Sequence, residues 1–311
     1  MNRFCIATAL VCMMTFAGQA FAQTSAQEYL ERYNLLSSRL GTTGVGIETL
    51  IGKWEADWPE DTNMLTAKFI YYYQKARSTE VKALDQEKYM GAKPLLALDD
   101  STGRKVNYFE VVSFDDELFG KAGNAIDKVI RLNPLALDLR ISKVNALINY
   151  EGESPDMALQ SLMALIDYDA TEHPQWTYGG APVDGEYFRG EVQNVCYDLF
   201  RIASPVSMEA FRAVADKMVK YHPKDSRFLS DLGSYWLTWK HDSKTALKYY
   251  KRALKLNPDD YAAVKNCVLL ARKDRDLKLE KKYLPRLIEV TPDESERNAA
   301  TVRLEALKNA K

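Results

Sequence analysis

Between Ser226 and Asp260 the chain reads SRFLSDLGSYWLTWKHDSKTALKYYKRALKLNPDD. Two amphipathic segments lie either side of the polar turn Lys240-His241-Asp242-Ser243. In the first, Leu229, Leu232, Gly233, Trp236 and Leu237 recur at helical spacing, and Gly233 leaves room for a neighbouring backbone. In the second, Ala246, Leu247, Tyr250, Ala253 and Leu254 form one stripe that Asn257-Pro258 ends. A helical hairpin of this kind cannot bury its apolar faces alone. It needs similar neighbours on both sides.

Those neighbours are found from the prolines. Pro292 follows Pro258 by 34 residues, and Pro223 precedes it by 35. Pro134, Pro174 and Pro59 close earlier periodic segments in the same way. The longer spacings before Pro223 place insertions in the N-terminal half.

The small, large and terminating positions of this hairpin resemble a tetratricopeptide (TPR) repeat. Leu232-Gly233, Ala246, Tyr250, Ala253 and Pro258 carry the resemblance. Leu229 stands where that family often has Trp, Trp236 where it often has Tyr, and the turn is one residue longer than the pattern. The resemblance implies an all-α, right-handed superhelix of helical hairpins, a TPR-like α-solenoid. It also implies a peptide or partner protein held in a concave groove. The chain is similar in this respect to exported TPR proteins of Gram-negative bacteria.

Residues 1–22 read as a secretory signal peptide. Arg3 is followed by a nearly uncharged apolar run from Phe4 to Phe16 and by the small-x-small site Ala20-Phe21-Ala22. The run is short for a transmembrane helix and is broken by Thr15, Gly18 and Gln19. Cys12, preceded by Ala9-Leu10-Val11, fits a lipoprotein box poorly. The expectation is export to the periplasm or beyond, with residues 23–311 as one elongated solenoid domain. Only Cys196 and Cys267 follow the signal, so no disulfide framework is expected.

Taken in order, helices are expected over Ser25 to Leu40, Val45 to Trp58 and Asn63 to Ala76. An insertion over about 78–115 then carries a β-hairpin signature, with Leu95-Leu96-Ala97-Leu98 and Val106 to Val112 around a turn that contains Gly103. Helices follow over Asp116 to Leu132, Ala136 to Tyr150 and Pro155 to Tyr168. A second insertion, 169–184, is rich in Gly, Pro and aromatics. Helical pairs resume at Gly185, with Phe211 and Ala215 inverting the large and small positions of the family pattern. Pro285 is expected to kink the penultimate helix, and residues 293–309 form a polar capping helix. The two insertions fall in adjacent repeats and are expected to be neighbours in space.

Three histidines, none paired at i, i+4, and no Cys-x-x-Cys leave a zinc site without its minimum signature. Asp184 and Glu186 read as a solvated loop rather than an acid–base pair, and no Gly-x-Ser-x-Gly elbow occurs. The glycines at 41, 44 and 46 lack the Lys-Ser/Thr of a phosphate loop. No cofactor, metal or catalytic set is expected, and nucleic acid is an improbable ligand for an exported chain of formal net charge −1. The binding candidates are Trp176, Tyr178 and Tyr187, in or beside a flexible loop. Lys248 and Arg252 lie in a basic stretch with 14 Lys/Arg against 7 Asp/Glu from Lys240 to Val290. Two partner classes fit: a protein or peptide, or a glycan stacked on the loop aromatics; a third reading, an enzyme with an unrecognised site, needs a catalytic pair that the sequence does not display.

Overall fold

The computed structural model describes residues 24–309, so the expected signal peptide lies outside the described residues. Thirteen α-helices are described, and the first twelve form six antiparallel pairs: α1 (Ala26–Leu40) with α2 (Ile47–Asp57), α3 (Thr62–Ala76) with α4 (Asp116–Leu132), and α5 (Leu137–Glu151) with α6 (Asp156–Glu172). The series continues with α7 (Gly185–Ile202) and α8 (Pro205–Tyr221), α9 (Ser226–Ser234) and α10 (Ser243–Leu256), and α11 (Tyr261–Lys273) and α12 (Leu277–Val290). A last helix, α13 (Glu294–Asn309), packs on α12. The fold is the expected α-solenoid.

One turn geometry recurs between pairs. Asn133, His222 and Asn257 each precede a proline, adopt φ near −125° and donate their N–H to the carbonyl four residues back. The residue three positions on then returns its N–H to them, as Ala136, Asp225 and Asp260 do. Trp58 and Asp61 repeat the arrangement before α3. Proline disfavours helical backbone at its predecessor, which favours ending one helix there, and an aspartate then caps the next at Asp61, Asp225 and Asp260. Of the six prolines used to find the repeats, five lie in connections between pairs, and Pro292 lies in the connection from α12 to the last helix α13.

The core runs the length of the stack in three apolar clusters. Trp54, Tyr29 and Phe69 centre the first, Phe188, Phe211 and Phe228 the second, and Tyr250, Leu284 and Cys267 the third. Phe211 and Ala215, whose volumes are inverted, are both buried, and Phe211 meets Phe200 at 5.3 Å between ring centres. Cys196 and Cys267 are buried and unbridged, on α7 and α11. Pro285 sits inside α12, which continues through it.

Gly233 serves a different purpose from the one expected. A Cβ there would meet the ring of Tyr250 at 2.4 Å, so the glycine admits an aromatic side chain from its own pair, not a neighbouring backbone. The extra residue before the 240–243 turn is absorbed within the helix. Tyr235–Trp239 forms a π-helical turn at the end of α9, where Lys240 donates to Tyr235 O five residues back.

The first insertion is larger than a hairpin. β1 (Arg77–Leu84) runs directly out of α3, and β3 (Lys105–Phe114) runs directly into α4. β2 (Leu96–Asp99) pairs on the far side of β3, giving an antiparallel sheet ordered β1-β3-β2. The loop before β2 lands on the solenoid: Met90 packs against the second cluster, and Gly91 sits against the carbonyl of Arg201 at the end of α7. The insertion therefore lies on the edge formed by turns within pairs. The second insertion joins α6 to α7 and lies on the opposite edge, among turns between pairs. The two are not neighbours. Antiparallel helices put the two kinds of turn at opposite ends, and the insertions are of different kinds.

Candidate partner-binding site

The second insertion is built around Trp176. α6 ends at His173, in the left-handed region at φ 48°, and Pro174 turns the chain back over the helix. Trp176 is 2% exposed, stacks on Phe188 with centres 5.9 Å apart, and lies under the guanidinium of Arg140. Its Nε1 donates to Asp169 Oδ1 at 2.8 Å. Trp176 is thus part of the core and not the exposed anchor expected from the sequence, nor a platform for a sugar ring. A buried indole needs one acceptor, and Asp169 on the preceding helix supplies it.

Burial of that ring fixes the course of the chain beyond it. β4 (Thr177–Tyr178) and β5 (Ala181–Pro182) form a minimal hairpin around Gly179 and Gly180, both at positive φ. Thr177 N–H donates to Leu135 O at 2.9 Å, which lays the hairpin on the α4–α5 turn. Gly179 N–H donates to Asp138 Oδ2 at 3.2 Å. Asp184, read from the sequence as a loop carboxylate, caps α7 through Tyr187 N–H at 2.9 Å. Glu186 pairs with Arg189 at 2.6 Å and Arg227 at 3.0 Å.

Tyr178 and Tyr187 are brought together. Their ring centres are 5.0 Å apart, edge to face, and the side chains are 38% and 39% exposed. Two carboxylates accompany them. Glu191, one turn along α7 from Tyr187, has its pKa raised by burial. Asp138 keeps Oδ1 buried without a hydrogen-bond partner. The Tyr187 hydroxyl is itself pushed up, first by desolvation and then by Glu191. Beside Asp138 lies a recess of about 640 Å³ lined by Asn63, Thr66, Asn133, Thr177 and the hairpin glycines. Aromatic faces next to under-partnered carboxylates favour a cation or a hydrogen-bond donor.

Lys248 and Arg252 are exposed on α10, with the Arg252 guanidinium 5.4 Å from the Tyr249 ring centre. α10 packs on α9 and α11, whereas the hairpin rests on α5, so the structure does not join these cations to the tyrosine pair. Asp138 and Glu191 had no signal in the sequence: each is an ordinary polar position of an amphipathic helix. Among the described residues, no group of three or more His, Cys, Asp or Glu is placed to hold a metal ion, and no helix is long and apolar enough to cross a membrane.

No family model matches the sequence, and no similar curated protein is found. Among solved structures, the C-terminal part of a TPR repeat-containing protein from Cytophaga hutchinsonii is 14% identical. The match covers 91% of this chain and 96% of that one, with a TM-score of 0.44. The pilF protein of Pseudomonas aeruginosa is also 14% identical, over 61% of this chain and 76% of that one, with a TM-score of 0.42. The flexible tandem repeat domain of a bacterial cellulose synthase component is 13% identical over 92% and 98%, with a TM-score of 0.27. The chain resembles TPR proteins in its stacked helical hairpins. Likeness at this distance assigns no partner.

Proposed function

We propose that this chain is an exported scaffold that binds a protein or peptide partner, with Tyr178 and Tyr187 as the anchor. The observation that carries the reading is the exposed tyrosine pair beside Glu191 and the unpartnered Oδ1 of Asp138. This combination suits a basic side chain on an extended or looped segment: the rings supply area and the carboxylates supply charge. Export rests on the pattern of residues 1–22.

The test is site-specific crosslinking in the cell envelope. A photo-reactive residue at position 178 should capture a discrete partner that one at position 248 does not. Tyr178→Ala with Tyr187→Ala should weaken that partner's binding by about tenfold or more, as for a two-residue hot spot. Unchanged binding in the double variant would move the site to the cationic surface of Lys248 and Arg252. Export is checked separately by fractionation: recovery of the unprocessed chain from the cytoplasm would refute it.

A further inference from the structure

The sheet of the first insertion leaves β1 at its edge. Among the described residues β1 pairs only with β3, so the outward-facing half of its backbone groups has no strand partner. The strand is eight residues long, contains neither proline nor glycine, and is exposed from Arg77 to Ala83. Val81, at its centre, is 62% exposed. Long open edges of this kind are templates for a further strand. The distribution of side chains along this one says which strand.

We propose that β1 pairs with β1 of a second copy of this chain, antiparallel and centred on Val81, so that two three-stranded sheets join into one of six strands. With Val81 opposite Val81 of the partner subunit, Glu80 faces Lys82 of the partner subunit, and Lys82 faces Glu80 of the partner subunit. Arg77 comes level with Asp85 of the partner subunit, in the bend just beyond its β1, where Asp85 also lies 3.6 Å from Arg104 of its own chain, and the symmetry makes the same pair again. Thr79 meets Ala83 of the partner subunit. Every charge on the edge thus meets its opposite. Glu80 and Lys82 already lie on one face of the sheet, where they pair with each other at 2.6 Å in the open.

The register is selective. An antiparallel two-fold pair keeps its side-chain faces matched only if it slips by whole pleats. The nearest slip in one direction sets Glu80 opposite Glu80 of the partner subunit. The nearest slip in the other sets Lys82 opposite Lys82 of the partner subunit. Both place like charges on the symmetry axis, which penalises them. A single pair of edge strands is a small interface, so the dimer is weak and concentration-dependent.

Sedimentation of the purified chain over a concentration series tests this. A reversible monomer–dimer equilibrium is expected. Glu80→Lys alone and Lys82→Glu alone should each weaken dimerisation by about tenfold or more, because each sets two like-charge pairs across the axis. The double swap Glu80→Lys with Lys82→Glu should restore it. Mixing the two single variants should produce a heterodimer, since each then carries the complement of the other. Amide exchange of residues 77–84 should slow as concentration rises. A chain that stays monomeric at every concentration overturns the proposal, whether or not β1 then accepts a strand from another protein. So does a dimer indifferent to the single reversals, or one that the double swap fails to restore.

Discussion

Gly233 and Tyr250 meet so closely that no side chain can be added at the glycine while the ring stays in place. The added Cβ of Gly233→Leu would lie 2.4 Å from one ring carbon and 2.6 Å from another, inside a fully buried site. The variant should lose at least ~1–3 kcal/mol in urea unfolding, and Tyr250→Leu should recover part of the loss. Asp231, on the same helix, is a second constraint. Its Oδ1 accepts from Gln193 Nε2 at 3.0 Å, while its Oδ2 and Gln193 Oε1 are buried without partners. Burial is the main cause that pushes its pKa up to about 7, with Asp260 and Asp225 adding to it. The proton that burial favours would give Oδ2 a hydrogen to donate, and Gln193 Oε1 lacks a donor. Because the folded state holds this proton more tightly than the unfolded one, the associated stability is full below pH ~4 and gone above pH ~7. Asp231→Asn removes that titration. Relative to wild type the variant should gain roughly 2–3 kcal/mol between pH 5 and pH 8, measured by urea unfolding at both. A constant difference would mean that Asp231 is ionised throughout. The two cysteines make a simpler case. Burial raises both thiols, that of Cys267 to about 12. Alkylation followed by mass spectrometry should label neither in the native protein and both after denaturation.

At the level of elements, legibility followed the reach of the interactions. The repeats could be found from prolines because a chain-local rule, the disfavouring of helix before proline, helps to end them. The β2–β3 hairpin was visible for the same reason: its apolar runs and its Asp99-to-Gly103 turn are adjacent in sequence. β1 was not. Arg77–Leu84 mixes residues that suit a helix, Glu80, Lys82, Ala83 and Leu84, and it leaves α3 without glycine or proline, so only pairing with β3 makes it a strand. The π turn was legible as one residue too many, but not as a change in helix type. Trp176 failed as a candidate anchor because its burial depends on Phe188, Arg140 and Asp169, none of which a local reading joins to it. Structural and binding roles can therefore be separated within five residues of sequence. Trp176→Ala should cost about 3–5 kcal/mol by urea unfolding. Tyr178→Ala should cost about 0.5 kcal/mol or less, while removing half of the proposed anchor. If the two cost the same, the hairpin is one structural unit and Tyr178 is not free to bind.

Across the whole molecule, the sheet acts on more than the pair that carries it. It leaves the solenoid between α3 and α4, yet Met90 and Gly91 touch down two pairs further on, at the end of α7. Between these points it passes the α5–α6 turn, where a Cβ on Gly152 would lie 3.9 Å from the Met90 sulfur. Ser204 and Glu153 tie the same turns together by a hydroxyl-to-carbonyl hydrogen bond. One insertion thus spans three successive pairs along one edge, in a stack where each pair otherwise meets only its neighbours. This bracing depends on Gly91. Its φ is +74°, and an added Cβ would stand 1.8 Å from the Arg201 carbonyl oxygen, a backbone atom in a helix end that cannot retreat as a side chain would. Gly91→Ala should release the loop from α7 without disturbing the three core clusters. Limited proteolysis should then cut faster between residues 85 and 104, with the thermal midpoint of the helices lowered by only about 2–4 °C. A collapse of that midpoint would instead make the sheet part of the cooperative core. Unchanged cleavage would mean that Met90, not the fit of Gly91, holds the sheet in place.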